Sequence, residues 1–216
     1  MWDVLVNNGD LWRDALIGTV ILFFGGGLIA LVLGIMVGAM RVSPVPIARV
    51  VGAAYVNLVR NTPLTLVFFI FAFAVPVLAG TRLNFLTLAV WALGIYTATY
   101  VAEALRSGIN TVPVGQAEAA RAIGLPFTKV MTLIVVPQAA RAVVPPMMSV
   151  FIALLKNTTV ASGFSVLNLG SVRANLSERG ENALMVLVWV LIIFVLLVLV
   201  LSWVQNRLEK RWRVAR

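Results

Sequence analysis

Long uncharged apolar stretches alternate with short charged segments along the whole chain. Because a helix needs about 20 apolar residues to cross a bilayer, this pattern predicts five spans. They lie at about residues 15–40, 61–81, 83–103, 138–160 and 183–204. Only 14 uncharged residues separate Arg141 from Lys156, and Pro145 and Pro146 lie between them. We therefore expect an interrupted fourth span, and one all-helical transmembrane domain over residues 1–216.

Composition indicates an integral membrane protein and excludes several kinds of chemistry. Hydrophobic residues make up 61% of the chain and charged residues 12%, whereas soluble domains are about 45–50% apolar and about 25% charged. With no cysteine and no histidine, the chain has no disulfide framework, no imidazole base and no histidine ligand for a metal. We expect no catalytic residue and no metal site. A membrane enzyme is disfavoured further because no carboxylates cluster inside the spans.

Basic residues are distributed asymmetrically about the predicted spans. If the N-terminus lies outside, five spans leave twelve Lys and Arg on the cytoplasmic side, from Arg41 to Arg216. The five on the outer side are Arg13, Arg82, Lys156, Arg173 and Arg179. This bias satisfies the positive-inside rule, so the net charge of +9 reflects membrane topology rather than nucleic-acid binding. The C-terminus and the loop at about residues 107–137 are then cytoplasmic.

The 107–137 loop contains the signals of a short helix. Asn110 or Thr111 can cap its start, and residues 116–123 form its body. Gly124 suits the position just after a helix end, and Pro126 prevents continuation.

Small and charged side chains dominate this short helix. Ala119 and Ala120 permit a close approach to a receiving surface, while Glu118 and Arg121 supply charges that orient the contact. The same residues are also compatible with an ordinary solvated loop, so their chemistry alone leaves both interpretations open.

The spacing of the loop resembles the EAA loop of ABC-importer permeases, which reads Glu-Ala-Ala, a short gap, Gly, nine residues and Ile-x-Leu-Pro. This chain carries Glu118-Ala119-Ala120, Gly124 and Ile134-x-Val136-Pro137. It differs at Val136, where Leu is usual. Three flanking motifs are similar to those of the polar amino-acid branch of these permeases. They are Tyr100-x-x-Glu103-x-x-Arg106-x-Gly108-Ile109, Val59-Arg60-Asn61-Thr62-Pro63-Leu64 and Lys156-Asn157-Thr158-Thr159.

This resemblance implies a fold, a function and a set of partners. The fold is that of a type I ABC-importer permease, and the pattern is closest to actinobacterial glutamate importers. The implied pore combines this chain with a second, different but homologous permease in the bacterial cytoplasmic membrane. An external amino-acid-binding protein delivers the cargo. Glutamate is the favoured cargo, and glutamine or another polar amino acid is the alternative. By the same resemblance, Glu118, Ala119, Ala120, Arg121 and Gly124 couple the permease to its ATPase.

ATP chemistry is expected on other chains. A phosphate-binding P-loop needs Gly-Lys followed by Ser or Thr, but the three lysines here follow Thr128, Leu155 and Glu209. The chain itself then carries no cofactor, and two partner ATPase subunits hold ATP and Mg²⁺.

Ionisable residues inside spans are costly and mark functional candidates. Lys156 lies 15 residues beyond Arg141, which is about 22 Å into a core of about 30 Å. It could line the substrate pathway, form an ion pair or backbone contact, or extend its charge to the outer surface. Asn157, Thr158 and Thr159 add hydrogen-bonding groups for the pathway, or simply cap the helix.

Three further residues are candidates for the pathway, with structural alternatives. Glu103 is spaced to pair with Arg106 on one helix face, and this pairing is the favoured interpretation over a pathway role. Tyr100 lies one turn before Glu103, and Arg60 is either an interfacial anchor or part of the pathway.

An ATP-independent secondary transporter or channel is the alternative function. A lysine within the membrane and a broken helix would suit it, but five spans without an internal repeat are few for such folds.

Overall fold

A computed structural model describes residues 2–80 and 83–212, without the side chains of residues 211 and 212. Residue 81, Arg82, Arg213 and Arg216, which entered the predictions above, lie outside the described residues. The regular structure within these ranges is entirely helical. The α-helices are α1 Asp3–Val6, α2 Gly9–Val42, α3 Pro46–Arg60, α4 Leu64–Phe69, α5 Val75–Ala79, α6 Phe85–Asn110, α7 Val114–Ala122, α8 Phe127–Val130, α9 Val136–Asn157, α10 Val172–Glu178 and α11 Ala183–Trp212. Two π-helical turns, Ile70–Ala74 and Met131–Val135, join α4 to α5 and α8 to α9, and a 3₁₀ segment, Thr158–Phe164, follows α9.

Four helical segments of the described chain are long and apolar enough to cross a membrane: α2, α6, Phe127–Phe164 and α11. A fifth crossing is formed if α3 and the helix Leu64–Ala79 are counted together, although the two are bent by 98°. This agrees with the predicted all-helical membrane fold.

Glycines bring α2 and α6 into close contact at the centre of the fold. A Cβ atom placed on Gly34 would lie 2.4 Å from Val101 Cγ1, and one on Gly94 would lie 2.5 Å from Ile29 Cγ2. Neither position has room for a side chain. Small residues permit such backbone approach in membrane helices, where van der Waals packing replaces the hydrophobic effect.

The helix α3 was absent from the sequence prediction, which left residues 41–60 between the first two spans without an assigned structure. Pro46 occupies the first turn, where a missing N–H costs nothing. The Tyr55 hydroxyl donates to the Ile95 carbonyl at 2.7 Å, which attaches α3 to the middle of α6. The helix that overlaps the predicted second span starts at Leu64, after the bend, with Pro63 just before it.

The predicted interruption of the fourth span is wrong, because α9 continues through Pro145 and Pro146. Tight packing accompanies this continuity: a Cβ on Gly108 of α6 would lie 2.2 Å from Val143 Cγ2, just before the two prolines. The irregularity lies earlier, where the Val136 N–H donates to Met131 O across the π turn. Pro137, which has no N–H to donate, follows immediately.

Candidate functional site

The helix α7 occupies the centre of the 107–137 loop, as predicted, but its start differs from the prediction. Pro113 is the residue before its first turn, and no side chain within the described residues caps it. Asn110 still belongs to α6, and the Thr111 hydroxyl donates backwards to the Gly108 carbonyl at 2.7 Å. The predicted capping role of Asn110 or Thr111 is therefore wrong, because both residues complete the preceding helix.

The end of α7 agrees with the prediction. Gly124 has φ +86°, a left-handed conformation that glycine adopts without the steric cost of a Cβ. Its N–H donates to the Arg121 carbonyl at 2.9 Å, and the Leu125 N–H donates to the Ala120 carbonyl at 3.1 Å. These two bonds form the Schellman motif that satisfies the last carbonyls of a helix.

The two alanines of α7 lie on different faces, which corrects the prediction of a shared small surface. Ala120 is only 4% exposed and packs with Val130 and Val135. Glu118 and Ala119 are exposed, since successive residues of an α-helix point about 100° apart. Ala120 thus holds α7 on the rest of the chain, and Ala119 faces outwards.

Two large apolar residues frame the outward face of α7. Val114 is 72% exposed and Ile123 is 79% exposed, on either side of Glu118 and Ala119. Exposed apolar groups rimmed by polar ones are typical of interaction surfaces. Sequence reasoning missed both residues, although a large apolar residue at each end of a polar helix was a readable signal.

One helical path joins this loop to the interior of the membrane domain. From Phe127 the chain stays helical through the π turn and α9 to Asn157. The Gln138 side chain near the start of α9 donates to Gln116 of α7 and to the Ile134 carbonyl at 2.9 Å. The start of α9 is therefore connected to α7 through a side-chain link as well as through the backbone.

A cleft of about 410 Å³ lies between α6 and α9 and contains two of the predicted pathway residues, Tyr100 and Asn157. The other residues that line it are Tyr96, Thr97, Ser149, Val150, Ala153 and Leu154. The hydroxyls of Tyr96 and Tyr100 are 2.9 Å apart. The Arg60 guanidinium carbon lies 5.4 Å from the centre of the Tyr100 ring, a cation–π geometry. Arg60, Tyr100 and Asn157 are thus brought to one region.

Thr97 is an unexpected member of this cleft. The residue is 3% exposed, and its hydroxyl has no hydrogen-bond partner among the described residues. A buried hydroxyl without a partner costs about 1–3 kcal/mol. A polar ligand that reached this hydroxyl would remove that cost.

The remaining predicted pathway residues lie elsewhere. Lys156 is exposed and does not line the cleft. The Thr158 hydroxyl donates to Leu155 O at 2.6 Å, and the Thr159 hydroxyl donates to Lys156 O at 2.8 Å. These bonds satisfy carbonyls at the end of α9, which is the capping alternative.

Glu103 forms the structural pair that its spacing predicts. Its carboxylate accepts a hydrogen bond from Arg106 Nε at 3.2 Å and from the Arg106 Nη2. Arg41, at the end of α2, donates to the other carboxylate oxygen. Sequence reasoning missed Arg41, because a contact between residues 62 positions apart leaves no local signal.

Within residues 2–80 and 83–212, no group of three or more acidic side chains is placed to hold a metal ion.

Comparison with known proteins gives consistent matches over most of the chain. Residues 30–214 match the family described as binding-protein-dependent transport system inner membrane component. The chain is 44% identical over 168 residues to the glutamate transport system permease protein GluC of Corynebacterium efficiens, covering 73% of this chain and 74% of that protein. It is 40% identical over 199 residues to GluC of Corynebacterium glutamicum, covering 87% of each. A solved structure described as an amino acid ABC transporter with histidines matches with a TM-score of 0.89 at 26% identity, covering 96% of each chain.

Proposed function

Because the chain belongs to the family of binding-protein-dependent transport system inner membrane components, we propose that it forms the glutamate-conducting half of an importer pore. It is a multi-pass permease of the cytoplasmic membrane, in an ABC importer for polar amino acids. The proposal concerns its cargo, its site and its partners.

A single observation carries the mechanism: one helical path runs from the 107–137 loop to the cleft between α6 and α9. Phe127 begins this path within the loop, just after α7, and Asn157, 30 residues later, lines the cleft. A displacement of α7 by a docked partner would move α9 along the cleft wall. Alternating exposure of the cleft to the two sides of the membrane follows from that movement.

The outward face of α7 is the proposed docking surface for an ATPase subunit. It combines apolar Val114 and Ile123 with the small Ala119 and the charged Glu118. Arg121 is also exposed and adds a positive charge. Ala120 and Gly124 act indirectly, the first by attaching α7 to the chain and the second by ending it.

The proposed complex contains two such ATPase subunits, which bind ATP and Mg²⁺. A second, homologous permease completes the pore, and an external binding protein delivers the amino acid. The absence of Gly-Lys-Ser or Gly-Lys-Thr from the sequence supports ATP hydrolysis on separate subunits.

The groups around the cleft suit an amino acid with a second carboxylate. Thr97, Tyr100 and Asn157 provide hydrogen-bonding groups. Arg60 provides a positive charge beside Tyr100, and a guanidinium binds a carboxylate through paired hydrogen bonds. Two relatives named as glutamate transport permeases support the same cargo.

Uptake into proteoliposomes tests the proposal. The complete transporter, with its ATPases and binding protein, is expected to accumulate radiolabelled glutamate only when ATP is supplied. Arg60→Gln should reduce glutamate uptake about tenfold, because a hydrogen bond to a charged group contributes about 1.5–3 kcal/mol. It should reduce glutamine uptake less. Arg49→Gln, an exposed arginine at the other end of α3, is the charge-matched control.

Three outcomes would contradict parts of this proposal. Uptake without ATP would favour the secondary-transporter alternative. Preference for glutamine would reject glutamate as the cargo. Equal losses in Arg60→Gln and Arg49→Gln would remove Arg60 from the pathway.

A further inference from the structure

A second cleft, of about 500 Å³, lies beneath the 107–137 loop, between the ends of α2 and α6 and the loop itself. Three arginines line it, one from each of α2, α6 and α7: Arg41, Arg106 and Arg121. Among its lining residues, all of which are described, none is Asp or Glu. The proposed transport mechanism assigns two of its lining residues, Val114 and Arg121, to the docking surface but gives the cleft itself no role.

Glu103 holds two of these arginines in fixed positions. It accepts one hydrogen bond from Arg41 and two from Arg106. Since each guanidinium has five N–H groups, these three bonds leave seven of the ten N–H groups for other acceptors. One carboxylate against two guanidiniums leaves a charge of +1, and Arg121 raises it to +2. The Arg41 side chain is only 13% exposed, so its charge is poorly screened by water.

Most of the other residues that line the cleft are apolar. They include Ile109, Val112, Phe127, Met131 and Val135. A fixed group of positive charges beside apolar side chains is suited to an anion that carries a hydrocarbon portion. Basic pockets between membrane helices on the cytoplasmic side bind phospholipid head groups, and guanidinium groups bind phosphate through paired hydrogen bonds.

We propose that this cleft binds a phosphate-bearing anion. The phosphate is supplied either by the head group of an anionic phospholipid of the inner leaflet or as free phosphate. The location at the inner membrane surface rests on the proposed function, in which the ATPase docks on α7 of the 107–137 loop. Because its three arginines come from α2, α6 and α7, the bound anion joins the membrane helices to the loop.

Native mass spectrometry of the complete transporter tests the lipid source. The transporter is purified after exchange into nanodiscs that contain phosphatidylglycerol, or phosphatidylcholine alone. We expect retained phosphatidylglycerol and no retained phosphatidylcholine. Arg106→Gln should lower phosphatidylglycerol retention by about tenfold or more, as expected for a charge-assisted hydrogen bond. Arg49→Gln, outside the cleft, should leave retention unchanged.

A second variant separates loss of the site from loss of the fold. Ala117 lines the cleft, so Ala117→Leu fills it without changing any charge. Thermal unfolding of each variant, followed by tryptophan fluorescence, reports whether the fold is intact. Retention should fall in Ala117→Leu at an unchanged midpoint.

Binding of ³²P-labelled inorganic phosphate in the phosphatidylcholine nanodiscs tests the other source. Phosphate bound by the wild type and lost in Arg106→Gln and Ala117→Leu would assign the site to free phosphate. If neither probe binds, or if phosphatidylglycerol is retained equally by all variants, the proposal is wrong. These measurements require no transport, so their failure is distinct from failure of the proposed function.

Discussion

Replacing Gly124 with alanine isolates one backbone angle at the end of α7. A Cβ at this position would meet no atom within 4 Å, so the substitution introduces no clash. The cost comes only from φ +86°, and a left-handed conformation costs an L-residue roughly 1–2 kcal/mol. The conformation that forms the Schellman bonds, and that orients α7, should be destabilised by that amount. Its population relative to other conformations then falls by a factor of about 5–30.

The assay is ATP hydrolysis stimulated by the loaded binding protein, measured together with glutamate uptake in the reconstituted transporter. Gly124→Ala should lower both, while the thermal midpoint of the membrane domain changes little because the residue is exposed. Gly115→Ala is the matched control: its Cβ also meets nothing within 4 Å and its φ is not positive. Alanine is better than glycine within a helix by about 1 kcal/mol, so this variant should retain full activity.

Gly124→Asn provides the decisive comparison, because asparagine tolerates the left-handed conformation better than alanine does. Its activity should lie close to that of the wild type. If Gly124→Asn is as impaired as Gly124→Ala, or if neither differs from Gly115→Ala, the backbone explanation is refuted.

Three further substitutions test the cleft, the ion cluster and the helix packing. Thr97→Val should raise the glutamate concentration for half-maximal uptake without changing basal ATP hydrolysis. Thr99→Val should leave that concentration unchanged, because the Thr99 hydroxyl donates to Tyr96 O of its own helix. Equal effects of the two substitutions would exclude a ligand role for Thr97. Glu103→Gln should destabilise the domain by roughly 1–3 kcal/mol, because it leaves two arginines without a carboxylate. An unchanged midpoint of thermal unfolding would contradict a stabilising role for this ion cluster. Gly34→Ala should lower the midpoint of thermal unfolding, because its Cβ would lie 2.4 Å from Val101 Cγ1. Gly27→Ala should be tolerated, because its Cβ would lie 3.4 Å from its nearest neighbour. Similar midpoints for the two variants would show that α2 and α6 separate easily.

Local signals in the sequence were sufficient where one residue determines one backbone feature. Gly124 ends α7 as predicted, because the left-handed position strongly favours glycine. Glu103 pairs with Arg106 because both lie on one helix face. The uncharged stretches gave the membrane helices for a similar reason, since a bilayer forces each span to satisfy its own backbone.

The errors arose where packing between distant segments decides the structure. Pro145 and Pro146 have low helix propensity, yet α9 continues through them beside its close contact with Gly108. Arg41 joins Glu103 from another helix, which no local pattern could indicate. Thr97 was overlooked because the sequence does not reveal that its hydroxyl lacks a backbone partner.

The different orientations of Ala119 and Ala120 have an evolutionary consequence. Ala120 is buried against its own chain, at Val130 and Val135, so substitutions there should be compensated within the same gene. Ala119 and Ile123 face outwards, so under the proposed docking, changes there should be matched by changes in the gene for the ATPase. If two different permeases bind the same kind of ATPase, the residues on the outward face of α7 should be the same in both permeases. The residues on its inward face can differ between them. The neighbouring positions 119 and 120 of one short motif would thus co-vary with different genes.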